Sequence, residues 1–428
     1  MGRAKEEWTR HMELGYSLVG EKFVCPECFE DYAIKEFIEA HASSDECSYC
    51  GKTGDEPIAA HMDDVLAYIA EGIGSEWNMP EAELPYESRE GGWQGQVYDG
   101  QELIEAIDIR TNTDDLFEDI CGSFDEQLWC QRDYFGTRDE DALRWGWERF
   151  CEQIKHQSRY VFFKIEDEPD EFDHETIPAS KMLDVLAGVI DKQGLVSSVP
   201  IGTSVHRVLI HKPSESCALA SDLGSPPIDK CKISNRMSPA GIPMFYGASD
   251  PMTSILETYK EKGEEKKASC GEFKTLKDMN ILDLTALQDV PSLFDEARRH
   301  LRAALIFLQG FVADVSKSIH KDGREHIEYV PTQAFAEYFR HIYKDDEGKP
   351  LDRIAYRSSK NPDGINYVLF AGNEHCCDKG GESPSGFMAA EPWLVLESVE
   401  IFDPAKVLKE HEATVQATSR GLLRGLIE

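Results

Sequence analysis

In AHMDDVLAYIAEGIG (60–74), Met62, Val65, Leu66 and Ile69 recur at the intervals that place them on one face of a helix. DALRWGWERFCEQIKHQ (141–157) repeats the pattern with Leu143, Trp147, Phe150 and Ile154, and KMLDVLAGVI (181–190) reads as a further helix. A long helical pattern runs from Leu293 to about Ser318. Short runs rich in β-branched and aromatic residues read as strands: RYVFFKI (159–165), SVHRVLIH (204–211) and NYVLFA (366–371). Asp250 followed by Pro251 marks a helix start, an N-cap carboxylate and then a proline whose missing N–H costs nothing at the first helical position. The helix begun there carries Glu257 about two turns in, and Thr332 is positioned to cap QAFAEYFRHIY. Strands mixed with helices in no regular alternation predict an α+β fold.

EDEPDEFDHE (166–175) is too acidic to pack and reads as a linker. The expected organisation is a mainly helical domain over 1–165, an acidic linker and connecting helix over 166–195, and a second domain over 196–410. Charge divides along the same line. The 428-residue chain carries −35, and residues 1–180 hold 15 Lys and Arg against 44 Asp and Glu, a balance of −29. The remainder is close to neutral, with 30 against 36. The front half repels polyanions, so no direct nucleic-acid partner is expected, whereas the rear half could cradle a dinucleotide with a few placed arginines. MGRAKEEWTR lacks the apolar core of a signal peptide, and the longest apolar patch, AALIFLQGFVADV, is interrupted by Gln309 and Asp314. No membrane association and a reducing cytoplasmic setting are therefore expected, with most of the twelve cysteines free.

Four of those cysteines are paired. Cys25 and Cys28 form one CxxC, Cys47 and Cys50 a second, and Gly51 follows directly. Two such knuckles let four thiolates converge on one tetrahedral ion, which predicts zinc. With four thiolate ligands no position stays open for water, so the zinc is expected to be structural. His41 and His61 lie nearby, but nothing in the spacing favours them over the thiolates.

The rear half places Arg207, Arg236, Tyr246, Glu257 and Ser358 in order. In NRMSPAGIPMFYGASDPMTSILE (235–257), an arginine is followed ten residues later by a tyrosine, and eleven residues after that by a glutamate. YVPTQAFAEYFRH (329–341) and RIAYRSSKNPDGINYVLF (353–370) come later. This set, over roughly residues 200–400, resembles the RES-domain family, whose members are toxins that consume NAD+. The CxxC pairs and the run ending in WERFCEQIKHQSRYVFF resemble the HEPN/RES N-terminal domain over about residues 1–165. Two departures stand out: Met237-Ser238 where the family often has an aromatic and Asn, and Arg353-Ile354 where it often has Gly-Ile.

The resemblance implies a fold related to ADP-ribosyltransferase toxins, with NAD+ as substrate. Arg207 and Arg236 would clamp the pyrophosphate, since planar guanidinium groups fit phosphate oxygens two at a time. Glu257 would stabilise the oxocarbenium ion developing at the ribose carbon, Tyr246 would orient the nicotinamide, and Ser358 would hold the ribose or the acceptor. Gln333 is assigned to local support. The leading expectation is an enzyme cleaving the nicotinamide–ribose bond by phosphorolysis or hydrolysis, with phosphate as a candidate acceptor, in a toxin–antitoxin or phage-defence setting. An ADP-ribosyltransferase and a non-catalytic zinc-stapled interaction protein are the alternatives. A separate antitoxin or trigger protein, restraint by the acidic front half, and oligomerisation are left open as interactions.

Overall fold

The computed structural model describes residues 15–165, 177–260, 266–317, 323–380 and 390–425. The chain divides into two compact units, Met1–Asp141 with Asp289–Ile306, and Ala142–Gln288 with Phe307–Glu428. These units are drawn differently from the expected domains. A short segment from the rear half of the sequence belongs to the front unit, and residues 142–165 belong to the second.

The front unit is built on α1 (Tyr32–Ala40), α2 (Met62–Glu76), α3 (Gly100–Ala106) and α4 (Asp114–Phe124). Local capping sets their starts: Asp31 accepts from the N–H groups of Ala33 and Ile34, and Asp99 with Glu102 forms a capping box. Phe23–Val24 pairs antiparallel with Ala60–His61, which brings the segment around Cys25 against the start of α2. The predicted stripe of α2 is fully buried, with Met62, Val65, Leu66 and Ile69 in one core with Ile34, Leu116 and Phe124. Leu293 and Phe294 complete that core. Gly72 makes room for them, because a Cβ there would lie 2.3 Å from the Phe294 ring. Around this plug, the Phe294 carbonyl accepts from Tyr68, and Asp295 accepts from the Tyr32 hydroxyl at 2.7 Å and Arg298 at 2.8 Å.

The second unit contains α5 (Asp139–Glu152), α6 (Met182–Lys192) and a nine-stranded sheet among the described residues. Its strands are β1 (Val196–Val199), β2 (Ser204–His211), β3 (Phe245–Ala248), β4 (Lys267–Thr275), β5 (Met279–Asp283), β6 (Arg353–Arg357), β7 (Ile365–Leu369), β8 (Cys376–Asp378) and β9 (Leu394–Phe402). Their order across the sheet is β8-β9-β4-β2-β3-β7-β6-β5-β1. The β5–β6 and β8–β9 pairs are parallel and the rest antiparallel. This mixed sheet with its helices fits the predicted α+β class. The sheet nearly divides in its middle, where β2 and β3 meet only at His206 and Ala248. Helices α7 (Pro251–Thr258), α8 (Arg302–Ser316, whose residues up to Ile306 belong to the front unit), α9 (Val330–His341) and α10 (Pro404–Gly425) follow. Helix α5 buries its predicted stripe, Leu143, Trp147 and Phe150, in a core with Phe311, Phe335 and Phe339, and Ile154 joins from the π-helical turn Gln153–Gln157. No described helix is long and apolar enough to cross a membrane.

Three expected elements differ. RYVFFKI is not a strand: Tyr160, Val161 and Phe163 are exposed, and Phe162–Lys164 forms a 3-10 turn with only Phe162 packed against the core. The helix expected from Leu293 starts at Arg302, because Ser292 and Asp295 side chains accept backbone N–H groups at Phe294 and Arg298 and hold a run of turns. Thr332 does not cap, since α9 opens with Val330 and Pro331, and its hydroxyl donates to the carbonyls of Tyr329 and Arg236. The acidic linker, 166–175, lies outside the described residues. Helix α7 starts as predicted, with the Asp250 carboxylate accepting from the Thr253 N–H at 2.8 Å.

Phe294→Ala should destabilise the front unit by about 3–5 kcal/mol, the usual cost of emptying a buried phenylalanine site. Denaturant unfolding of the full chain measures this, and a loss below about 1 kcal/mol would show that the segment is not part of that core.

Candidate functional site

The two knuckles meet as predicted. The sulfur atoms of Cys25, Cys28, Cys47 and Cys50 lie within 4.8 Å of one another, and three of the four residues are buried. Cys25 Sγ stands 3.7 Å from Cys28 and 3.5 Å from Cys50. Cys25 N–H points at Cys47 Sγ at 3.3 Å, and Gly51 adopts the left-handed conformation, with φ of 70°, that turns the second knuckle. Burial pushes the Cys25 thiol up to about 11 and raises Cys28 further. Burial also acts on Cys47, but backbone N–H donors at Cys50, Tyr49 and Cys25 outweigh it and bring Cys47 to about 7. Four sulfurs converging at these separations, with N–H groups aimed at one, fit a tetrahedral thiolate metal centre such as zinc. The histidines stand apart from it. His61 Nδ1 accepts from the Asp63 N–H at the start of α2, and His41 stacks on Phe37 at 4.1 Å.

In the second unit the residues singled out by the sequence fall into two groups. Glu257, near the end of α7, is exposed, yet its Oε1 accepts from Ser358 Oγ at 2.5 Å and Asn366 Nδ2 at 2.9 Å. Ser358 and Asn366 are 6% and 7% exposed, so buried donors orient a carboxylate whose outer side is free to meet a ligand. Ser358 Oγ also accepts the N–H groups of Lys360 and Asn361, each at 3.1 Å, which fixes the turn after β6. Strand register places Tyr356 opposite Asn366 and Tyr246 opposite Val368, so Tyr246, Val368, Asn366 and Tyr356 share one sheet face. Helix α7 packs there through Ile255 against Val208 and Cys270.

Tyr246 is held at both ends. Its hydroxyl meets Ser238 Oγ at 2.9 Å and accepts the Met237 N–H at 3.3 Å, and burial pushes its pKa up to about 12. Its carbonyl accepts Arg207 Nη1 at 2.6 Å, while Arg207 Nε donates to the Gly224 carbonyl at 3.1 Å. Arg207 therefore sits in the divide between β2 and β3, with its guanidinium over the Phe245 ring at 5.3 Å. Burial lowers its pKa. Arg236 donates to the Val315 carbonyl, and its loop is braced by α9: Thr332 donates to the Arg236 carbonyl and Gln333 to the Asn235 carbonyl at 2.8 Å. Gln333 thus supports the loop as expected. Arg236, Tyr246 and Glu257 lie close enough to the buried Tyr356 to act on it electrostatically, whereas Arg207 joins this group through the Tyr246 carbonyl.

The HEPN/RES N-terminal domain 1 family matches residues 40–168, and the RES domain family matches residues 205–386. The chain carries a HEPN/RES N-terminal domain followed by a RES domain. No curated protein and no solved structure matches it. The RES domain family is associated with NAD+-related toxin activity. At the two departures, this RES domain buries Met237 and uses Ser238 to hold Tyr246, while Arg353, 2% exposed, stacks on Tyr367 at 4.8 Å with its Nε and Nη1 unbonded. Cys376 and Cys377 lie on β8. Sequence reasoning missed Asn366 and Tyr356. The signal for Asn366 was a lone amide opening an otherwise apolar strand; Tyr356 had none beyond its place two residues before Ser358.

Replacing Cys25 and Cys28 with Ser should remove about one equivalent of bound zinc and unfold the front unit, as read by metal analysis and circular dichroism. Metal-free wild-type protein purified under reducing conditions would contradict the assignment. Ser358→Ala should cost about 1–3 kcal/mol in denaturant unfolding, because the N–H groups of Lys360 and Asn361 lose their acceptor. An unchanged midpoint would show that water replaces the hydroxyl without penalty.

Proposed function

We propose that this RES domain cleaves the nicotinamide–ribose bond of NAD+, passing the ADP-ribosyl group to phosphate or water. The observation that carries the reading is the exposed Glu257 carboxylate, oriented by the buried donors Ser358 and Asn366 within a RES domain match. Leaving of nicotinamide makes the ribose carbon electron-poor. A fixed carboxylate stabilises that charge without reorganising at the moment of reaction. Because Ser358 and Asn366 both donate to one oxygen, Oε1, the second carboxylate oxygen is the one offered to the ribose.

Arg236 and Arg207 are the candidates for the pyrophosphate. Each uses part of its fork on backbone carbonyls, which orients the guanidinium before a ligand arrives. Tyr246, tied to Ser238, would present its ring toward the nicotinamide. The fold reading that accompanies this chemistry is an ADP-ribosyltransferase-like arrangement, supported by the sheet that divides between β2 and β3 beside the candidate residues. The zinc centre has no open ligand position and takes no part in the reaction.

Glu257→Gln should lower NAD+ turnover by at least about 10²-fold, the scale for losing one electrostatic stabiliser, while NAD+ binding persists. Mass spectrometry of the products, with and without phosphate, separates phosphorolysis from hydrolysis, and a labelled protein product would instead indicate transfer. Wild-type turnover by the Gln variant would remove Glu257 from the chemistry.

A further inference from the structure

The front unit holds a cavity of about 700 Å³ whose lining is unlike the composition of that unit. Residues 1–141 and 289–306 carry 13 Lys and Arg against 38 Asp and Glu, yet three of those cations, Arg138, Arg299 and Arg302, line this one space. Tyr98 and Trp77 provide an aromatic wall, paired edge to face at 5.0 Å.

The arginines are placed against local electrostatic preference. Arg299 lies in the 3-10 turn just before α8 and Arg302 opens that helix, whose first turn has no acidic residue. The positive end of a helix dipole favours anions, so clustered cations there ask for an anionic counterpart. Each arginine has an internal carboxylate partner. Arg302 Nε meets Glu76 at 3.1 Å, Arg299 Nη2 meets Glu71 at 3.4 Å and Arg138 Nη1 meets Glu140 at 3.4 Å. Arg302 Nη1 also donates to the Pro291 carbonyl and Arg138 Nε faces Asp141 at 3.6 Å, so these contacts fix both forks and leave the Nη2 groups of Arg302 and Arg138 outside them. The third carboxylate in the lining, Asp108, is bound by Arg110 at 2.9 Å. Every lining carboxylate therefore has a cationic partner of its own.

We propose that this cavity binds a small organic phosphate with a flat apolar body, of the nucleoside diphosphate class. The guanidinium N–H groups left over from these internal contacts would take the phosphate oxygens, and Tyr98 with Trp77 would flank the base. The site is separate from Glu257 and does not depend on the NAD+ reading.

Calorimetric titration of the full chain with ADP tests the proposal. Binding should weaken with added salt, and adenosine should bind at least about tenfold more weakly, since the phosphate contacts are charge-assisted. Arg299→Ala should lower ADP affinity by at least about tenfold on the same ground. Ala303→Phe, which fills the cavity, should abolish binding, with zinc content and the unfolding transition checked to show that each variant is folded. Arg236→Ala, in the RES domain, should leave this binding intact. No ADP binding by the wild-type protein, equal binding of adenosine, unchanged affinity in a folded Arg299→Ala or Ala303→Phe variant, or loss only in Arg236→Ala would each overturn it.

Discussion

Arg207 bridges the place where the sheet of the second unit is weakest. Strands β2 and β3 share a single residue pair, so the backbone between them lacks the ladder that joins other neighbours. The guanidinium takes up the carbonyls of Tyr246 and Gly224. A buried cation is costly to desolvate, and here two carbonyl dipoles and an aromatic face offset that cost. The rest of the site hangs from this arrangement. Tyr246, fixed by its backbone, reaches Ser238 and the Met237 N–H, and these lie in the loop that carries Arg236. Thr332 and Gln333 brace the same loop from α9.

A second polar cluster holds the carboxylate. Asn366 and Ser358 come from neighbouring strands and their connection, and Glu257 from the helix packed over them, so three elements must be in register before one hydrogen-bonded group forms. The start of that helix is secured separately. The Asp250 carboxylate accepts from the Thr253 N–H and hydroxyl, and Thr253 in turn accepts from Asn361. Asn361 belongs to the turn that Ser358 fixes, so cap, helix and turn form one continuous network.

Much of this was legible in the sequence, and the exceptions share a cause. Periodicity located α2, α5 and α6 because their stripes face a single core, and Asp250-Pro251 located α7 because capping is local chemistry. The CxxC pairs located the four-cysteine cluster for the same reason. RYVFFKI failed because apolar residues in a short run say nothing of whether a neighbouring strand exists to pair with them. The region before Arg302 failed because Ser292 and Asp295 offer the backbone side-chain acceptors that compete with a helix. Asn366 and Tyr356 were invisible as site residues because their relevance depends on cross-strand register, which couples positions ten residues apart through a turn. The allocation of 289–306 to the front unit depends on long-range packing, for which a single sequence carries no local mark.

That allocation bears on how the protein is made. The four clustered cysteines lie at residues 25–50, so the knuckles can close well before the rear half is synthesised. The core around them must wait for Leu293 and Phe294, which reach it only after most of the chain has been translated. The unit encoded first is therefore completed late, and its surface opposite Gly72 stays uncovered through much of synthesis. For the same reason the front unit cannot be moved onto a different partner as a simple cassette: a new partner would have to bring its own plug for that core.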